Sequence, residues 1–108
     1  MRRGDLITVA LSGDYGKPRP ALIVQSDAFH QLESVVVAPL TTTILDAPLL
    51  RVLVEPSKTN GLMKRSSVMV DKLVAVSRSR IGPRIGVVSA ATLDSVTKAM
   101  RGLLEIQD

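Results

Sequence analysis

The chain has 108 residues and no cysteine, which excludes disulfides and thiolate-held metals. It has one histidine, His30, so multi-histidine metal clusters and histidine-pair nucleases are excluded too. Aromatic residues make up 2% of the chain, Tyr15 and Phe29 alone, and there is no tryptophan. The core must then be built from Val, Leu, Ile, Ala and Met, and base stacking has few platforms. No apolar run approaches the roughly 20 residues that cross a bilayer. Met1-Arg2-Arg3-Gly4-Asp5 carries basic residues with no apolar stretch behind it, so no signal peptide is expected and a cytoplasmic protein is.

What remains is apolar and basic. Hydrophobic residues form 45% of the chain, and β-branched abundance favours sheet. The length suits one domain, residues 1–108. Net charge is +4, and the excess lies wholly in residues 55–108, where Arg78, Arg80 and Arg84 cluster. That balance suits a polyanionic partner; a solvated basic face accounts for it equally well.

Apolar patterning predicts strands over 5–11, 21–25, 35–40, 49–54 and 67–76. Residues 12–16 hold two glycines and predict a hairpin turn. Pro39 is expected to fray or bulge the end of the third strand. Residues 57–65, around Asn60-Gly61, and the basic stretch 77–84 read as loops. After Ser89, an N-cap residue, Leu93, Val96, Met100, Leu103 and Leu104 recur with helical spacing, and Gly102 is expected near the fraying end. Strands first and helix last predict a small α+β domain with a twisted, mainly antiparallel sheet.

The sharpest local signal is Gly16-Lys17-Pro18-Arg19-Pro20, running into Ala21-Leu22-Ile23-Val24. Each proline fixes its own φ and drives the preceding residue toward extended backbone, so Arg19 is held stiffly at a strand edge. Its planar, permanently charged fork matches phosphate oxygens. An exposed turn arginine is the competing reading at this point.

Three pieces in order resemble the MazF/PemK (Kid) toxins of bacterial toxin–antitoxin pairs. They are Arg3-Gly4-Asp5, the run from Gly16 through Asp27, and Val35-Val36-Val37-Ala38-Pro39-Leu40-Thr41. Gly61-Leu62-Met63-Lys64-Arg65-Ser66-Ser67-Val68 and the terminal helix add to the likeness. The resemblance implies an SH3-like barrel with a C-terminal helix (CcdB/MazF-like), a homodimer, a neutralising antitoxin, and metal-independent cleavage of single-stranded RNA without a cofactor. It makes Arg19 and Thr41 the catalytic pair.

Some relatives instead use an arginine and an aspartate on the fifth strand; the aspartate matches Asp71, while Met69 stands at the arginine's place. Asp71 then reads as a base, as a holder of Arg19, or as a structural partner for a nearby cation. Tyr15, Lys17 and Thr42 are the expected RNA contacts, whereas His30 reads as a surface residue. The first loop is shorter than in many relatives, and the first strand lacks their aromatics. The alternative is a non-enzymatic CcdB-like toxin that poisons DNA gyrase, although this chain lacks the C-terminal tryptophan of that fold. An inactive SH3-like adaptor is a third reading.

Overall fold

The computed structural model describes residues 1–10 and 17–107. Its seven strands are β1 (Asp5–Val9), β2 (Arg19–Ile23), β3 (Ser34–Thr41), β4 (Arg51–Val54), β5 (Ser66–Met69), β6 (Val74–Ser77) and β7 (Ile81–Val87). One helix, α1 (Ala90–Leu104), closes the chain. All strand pairs are antiparallel, in the order β4-β5-β3-β2-β1-β7, with β6 also on β3. The predicted α+β class is the one observed. The predicted turn at 12–16, and Tyr15 with it, lies outside the described residues.

Alternation along the strands explains the nearly continuous apolar runs. Leu6, Leu22, Ala38, Leu40, Val68, Val96 and Ala99 share one core between sheet and helix. Ile7, Val9, Ala21, Ile23, Val35, Val37 and Val76 form a second core on the opposite face. A strand buried on both sides has no polar alternation to show. Two apolar layers built from medium-sized side chains take the place of an aromatic core.

Four expectations change. The fifth strand is two strands, because the chain turns through a 3-10 segment at Val70–Lys72. There the Val70 N–H donates to Leu50 (3.0 Å), and β6 then swings onto the first half of β3. The basic stretch predicted as a loop is a short 3-10 turn, Arg78–Arg80, followed by β7. Gly82, Pro83 and Gly86 hid this strand, yet Pro83 is tolerated because β7 lies at the sheet edge.

Pro39 does not fray β3. It is buried within the strand, opposite Ala21. On its other side β3 changes partner, from β6, which ends at Val37↔Val74, to β5, which begins at Leu40↔Val68. Pro39 falls in the gap between them, where no ladder N–H is required.

The helix starts as predicted, with the Thr92 N–H donating to Ser89 Oγ (3.1 Å). It runs two residues beyond Gly102 and ends on Glu105 in the left-handed region, φ 57°. Val96 and Ala99 are buried, whereas Leu103 and Leu104 are exposed rather than packed on the sheet. Arg3 ties the helix down: its guanidinium donates to the Val24 carbonyl (3.0 Å) and to Thr97 Oγ1 (2.7 Å).

Gly86 is a tight point. A Cβ there would stand 2.4 Å from the Thr59 carbonyl oxygen and 2.5 Å from the Asn60 carbonyl carbon, both backbone atoms that cannot swing away. Gly86→Ala is expected to destabilise the fold by about 2 kcal/mol or more, read as a lowered midpoint in urea unfolding.

Candidate active site

Arg19 opens β2 as an exposed residue, beside Val9 of β1. On the other side, Ala21 faces Pro39. The β2–β3 pairs end at Ala21↔Pro39, two residues short of Arg19 on β2 and of Thr41, the last residue of β3. Alternate residues of a strand point to one face, so Arg19 shares the face of Ala21, and Thr41 that of its partner Pro39. The two residues that the sequence singled out thus lie at the same end of the β2–β3 pair.

Thr41 is half-buried, and its Oγ1 accepts the Thr43 N–H (3.1 Å), which fixes the turn leaving β3. Beyond it in the sheet stands Ser67, paired with Thr41 across β3 and β5. Lys17 and Thr42 are exposed next to the pair in sequence.

A cleft of about 380 Å³ lies against this end of the sheet, lined by Pro20, Thr42, Gly61, Leu62, Met63, Lys64, Ser66 and Ile85. Pro20 and Thr42 are the chain neighbours of Arg19 and Thr41, so the cleft backs onto the pair. Its wall is braced because Asn60 is buried and its side chain makes three hydrogen bonds. Asn60 Oδ1 accepts the N–H groups of Ser57 (3.0 Å) and Leu62 (2.9 Å), and its Nδ2 donates to the Glu55 carbonyl (2.9 Å). Gly61 then takes φ +69°, pressed against the Ile85 carbonyl. The Asn-Gly turn was legible in the sequence; the wall it builds was not.

Asp71 sits in the 3-10 turn rather than on a strand, and Arg51 of β4 holds it. Arg51 Nε donates to Oδ1 (2.9 Å) and Nη2 to Oδ2 (3.2 Å), a two-point fork. These bonds hold the Asp71 carboxyl below its ordinary pKa, against a smaller opposing effect of desolvation. Arg51 is also the direct cross-strand neighbour of Met69, so an arginine stands beside the position where Met69 had suggested none. Sequence reading missed Arg51, since the register that brings it there is not a local pattern. Asp71 lies four residues past Ser67, on the order of 10 Å along the chain, and its carboxylate is engaged by Arg51.

The basic cluster is largely structural. The Arg78 guanidinium donates to the carbonyls of His30 and Leu32, and Arg84 pairs with buried Asp5 (3.2 Å). Arg80 is exposed. His30 is at the surface as expected, its Nδ1 3.1 Å from the Asp27 carbonyl oxygen. No helix among the described residues is long and apolar enough to cross a membrane.

With this geometry in view, comparison with known proteins is decisive. Residues 2–104 match the sequence model of the PemK-like, MazF-like toxins of type II toxin–antitoxin systems. The chain belongs to that family. It is 45% identical over 107 residues to a probable endoribonuclease MazF of Mycolicibacterium smegmatis, covering 98% of each chain. It is 28% identical over 92 residues to endoribonuclease MazF6 of Mycobacterium tuberculosis, covering 83% of this chain and 81% of that one.

Among solved structures, a mycobacterial endoribonuclease in complex with its cognate antitoxin superposes with a TM-score of 0.84 at 25% identity. That match covers 100% of this chain and 98% of the other. Mycobacterium tuberculosis toxin MazF-mt6 superposes at 0.82 with 26% identity, covering 96% and 99%. These likenesses favour the nuclease over the gyrase-poison alternative.

The Arg51–Asp71 pair has a pH signature. Because the folded carboxyl titrates below the ordinary value of 3.8, the pair's stabilisation is present above that pH and is lost as pH falls through the lower folded value. Asp71→Asn is expected to unfold at lower urea than wild type at pH 7, with the gap narrowing below pH 3.8.

Proposed function

We propose that this chain is a sequence-specific endoribonuclease toxin that cuts single-stranded RNA at a site built on Arg19 and Thr41. The observation that supports the assignment is the β2–β3 register: Ala21 faces Pro39, two residues from the exposed, proline-flanked Arg19 and two from the strand-end Thr41. Family membership and the endoribonuclease relatives supply the reaction class.

The chemistry needs only groups that RNA and this surface provide. The ribose 2′-OH gives up its proton to solvent water and attacks the adjacent phosphorus, the bond to the 5′ oxygen breaks, that oxygen takes a proton from water, and the products are a 2′,3′-cyclic phosphate and a 5′-OH. Charge builds on the non-bridging oxygens in the transition state. Arg19 meets it with a fixed, two-point donor that stays protonated, which suits it to electrostatic stabilisation rather than proton abstraction. Thr41 donates to a non-bridging oxygen and helps hold attacking and leaving oxygens in line. Lys17 adds a cation on the approach, and Thr42 lines the cleft behind. Asp71, bound by Arg51, serves the fold in this reading and not proton transfer.

Control by a partner protein follows from the surface. Leu49 is 84% exposed, and with Leu50, Val52, Ala99 and Leu103 it lines an apolar groove of about 730 Å³ between β4 and α1. Such uncovered apolar surface suits protein association. The solved relative bound to its cognate antitoxin supports an antitoxin here as well, and the basic balance suits a partner with an acidic segment. A single domain acting as a homodimer in the cytoplasm completes the reading.

The test is purified protein with end-labelled single-stranded RNA in EDTA. Wild type is expected to cut and leave a cyclic phosphate. Arg19→Ala should keep its circular dichroism spectrum and lose about a hundredfold or more in rate; cleavage at the wild-type rate would overturn the assignment. Thr41→Ala should lose about tenfold, and a loss under about threefold would make it a bystander.

A further inference from the structure

Thr41 has a neighbour that the chemistry above does not use. Ser67 is fully buried, and its Oγ has no hydrogen-bond partner among the described residues. Hydroxyls sealed from water are nearly always paired, so an orphan next to a reactive group calls for an explanation. Ser67 stands directly across from Thr41 in the β3–β5 pair. At such positions Cβ atoms are about 4.5–5.5 Å apart on one face, and Ser and Thr hydroxyls bond to each other. On its other flank Ser67 faces Leu53, which offers no polar atom.

The Thr41 hydroxyl has two lone pairs and one proton. One lone pair takes the Thr43 N–H (3.1 Å). The second lone pair and the proton remain. We propose that Ser67 is a positioning residue for RNA cleavage, donating its hydroxyl to the second lone pair of Thr41 Oγ1 when substrate is bound. With both lone pairs occupied, the Thr41 proton has one useful direction, outward to the phosphate. Ser67 is sealed from solvent, so it touches no RNA and its influence passes through Thr41. This inference rests on the Arg19–Thr41 reading.

The experiment is a mutant cycle of wild type, Ser67→Ala, Thr41→Val and the double variant. Each is assayed by single-turnover cleavage, by thermal unfolding, and by binding to an uncleavable oligonucleotide with 2′-deoxyribose at the cut position. Ser67→Ala should stay folded, bind that oligonucleotide within twofold of wild type, and cut about three- to tenfold more slowly. In the Thr41→Val background the same change should alter the rate by less than twofold. Ser67→Cys keeps the volume with a weaker donor and should also cut more slowly, which covers the case of a poorly folding alanine variant.

An undiminished rate in the folded Ser67 variants, or an equal loss with and without the Thr41 hydroxyl, overturns the role of Ser67 alone. Failure of wild type to cut any RNA overturns the nuclease reading, and this inference with it.

Discussion

The alignment of β2 against β3 is the constraint on which the candidate site rests. Ala21 faces Pro39, and everything functional at this end of the molecule is counted from that pair. A slip of one residue would exchange the faces of Ala21 and Leu22, turning each apolar set out of its own core. Because both faces of β2 are packed, this register is guarded twice.

β3 is the hub of this arrangement. It meets β2 along one edge and divides the other between β6 and β5. The division lets the sheet curl so that two apolar layers form from 108 residues with almost no aromatic side chains. It also places β5, and with it Ser67, beside the end of β3 where Thr41 sits. Curvature and site geometry thus share one origin.

The strands carrying Arg19 and Thr41 were legible because each is a short apolar run with a polar punctuation mark at its end. The helix was legible from its cap and its period. Less local features were not. Pro39 looked like a strand end because sequence shows a missing N–H but not a change of partner. Gly82, Pro83 and Gly86 looked like loop residues because an edge strand tolerates what a central strand does not. Leu103 and Leu104 fit the helical stripe, yet both are exposed, Leu103 on an open groove beside β4. Arg51 could be connected with Asp71 only through the β4–β5 pairing. In each case the missing information was which segment lies next to which.

Arg3 joins three parts of the molecule that are far apart in the chain: its own N-terminal turn, the end of β2 through the Val24 carbonyl, and the middle of α1 through Thr97. Thr97 in turn donates to Leu93 (2.8 Å), so the link enters the helical ladder itself. A helix at the chain terminus would ordinarily be the first part to peel away and exchange its amide protons. Here detachment must also break the charged anchor that Arg3 plants between the N-terminal turn and the helix.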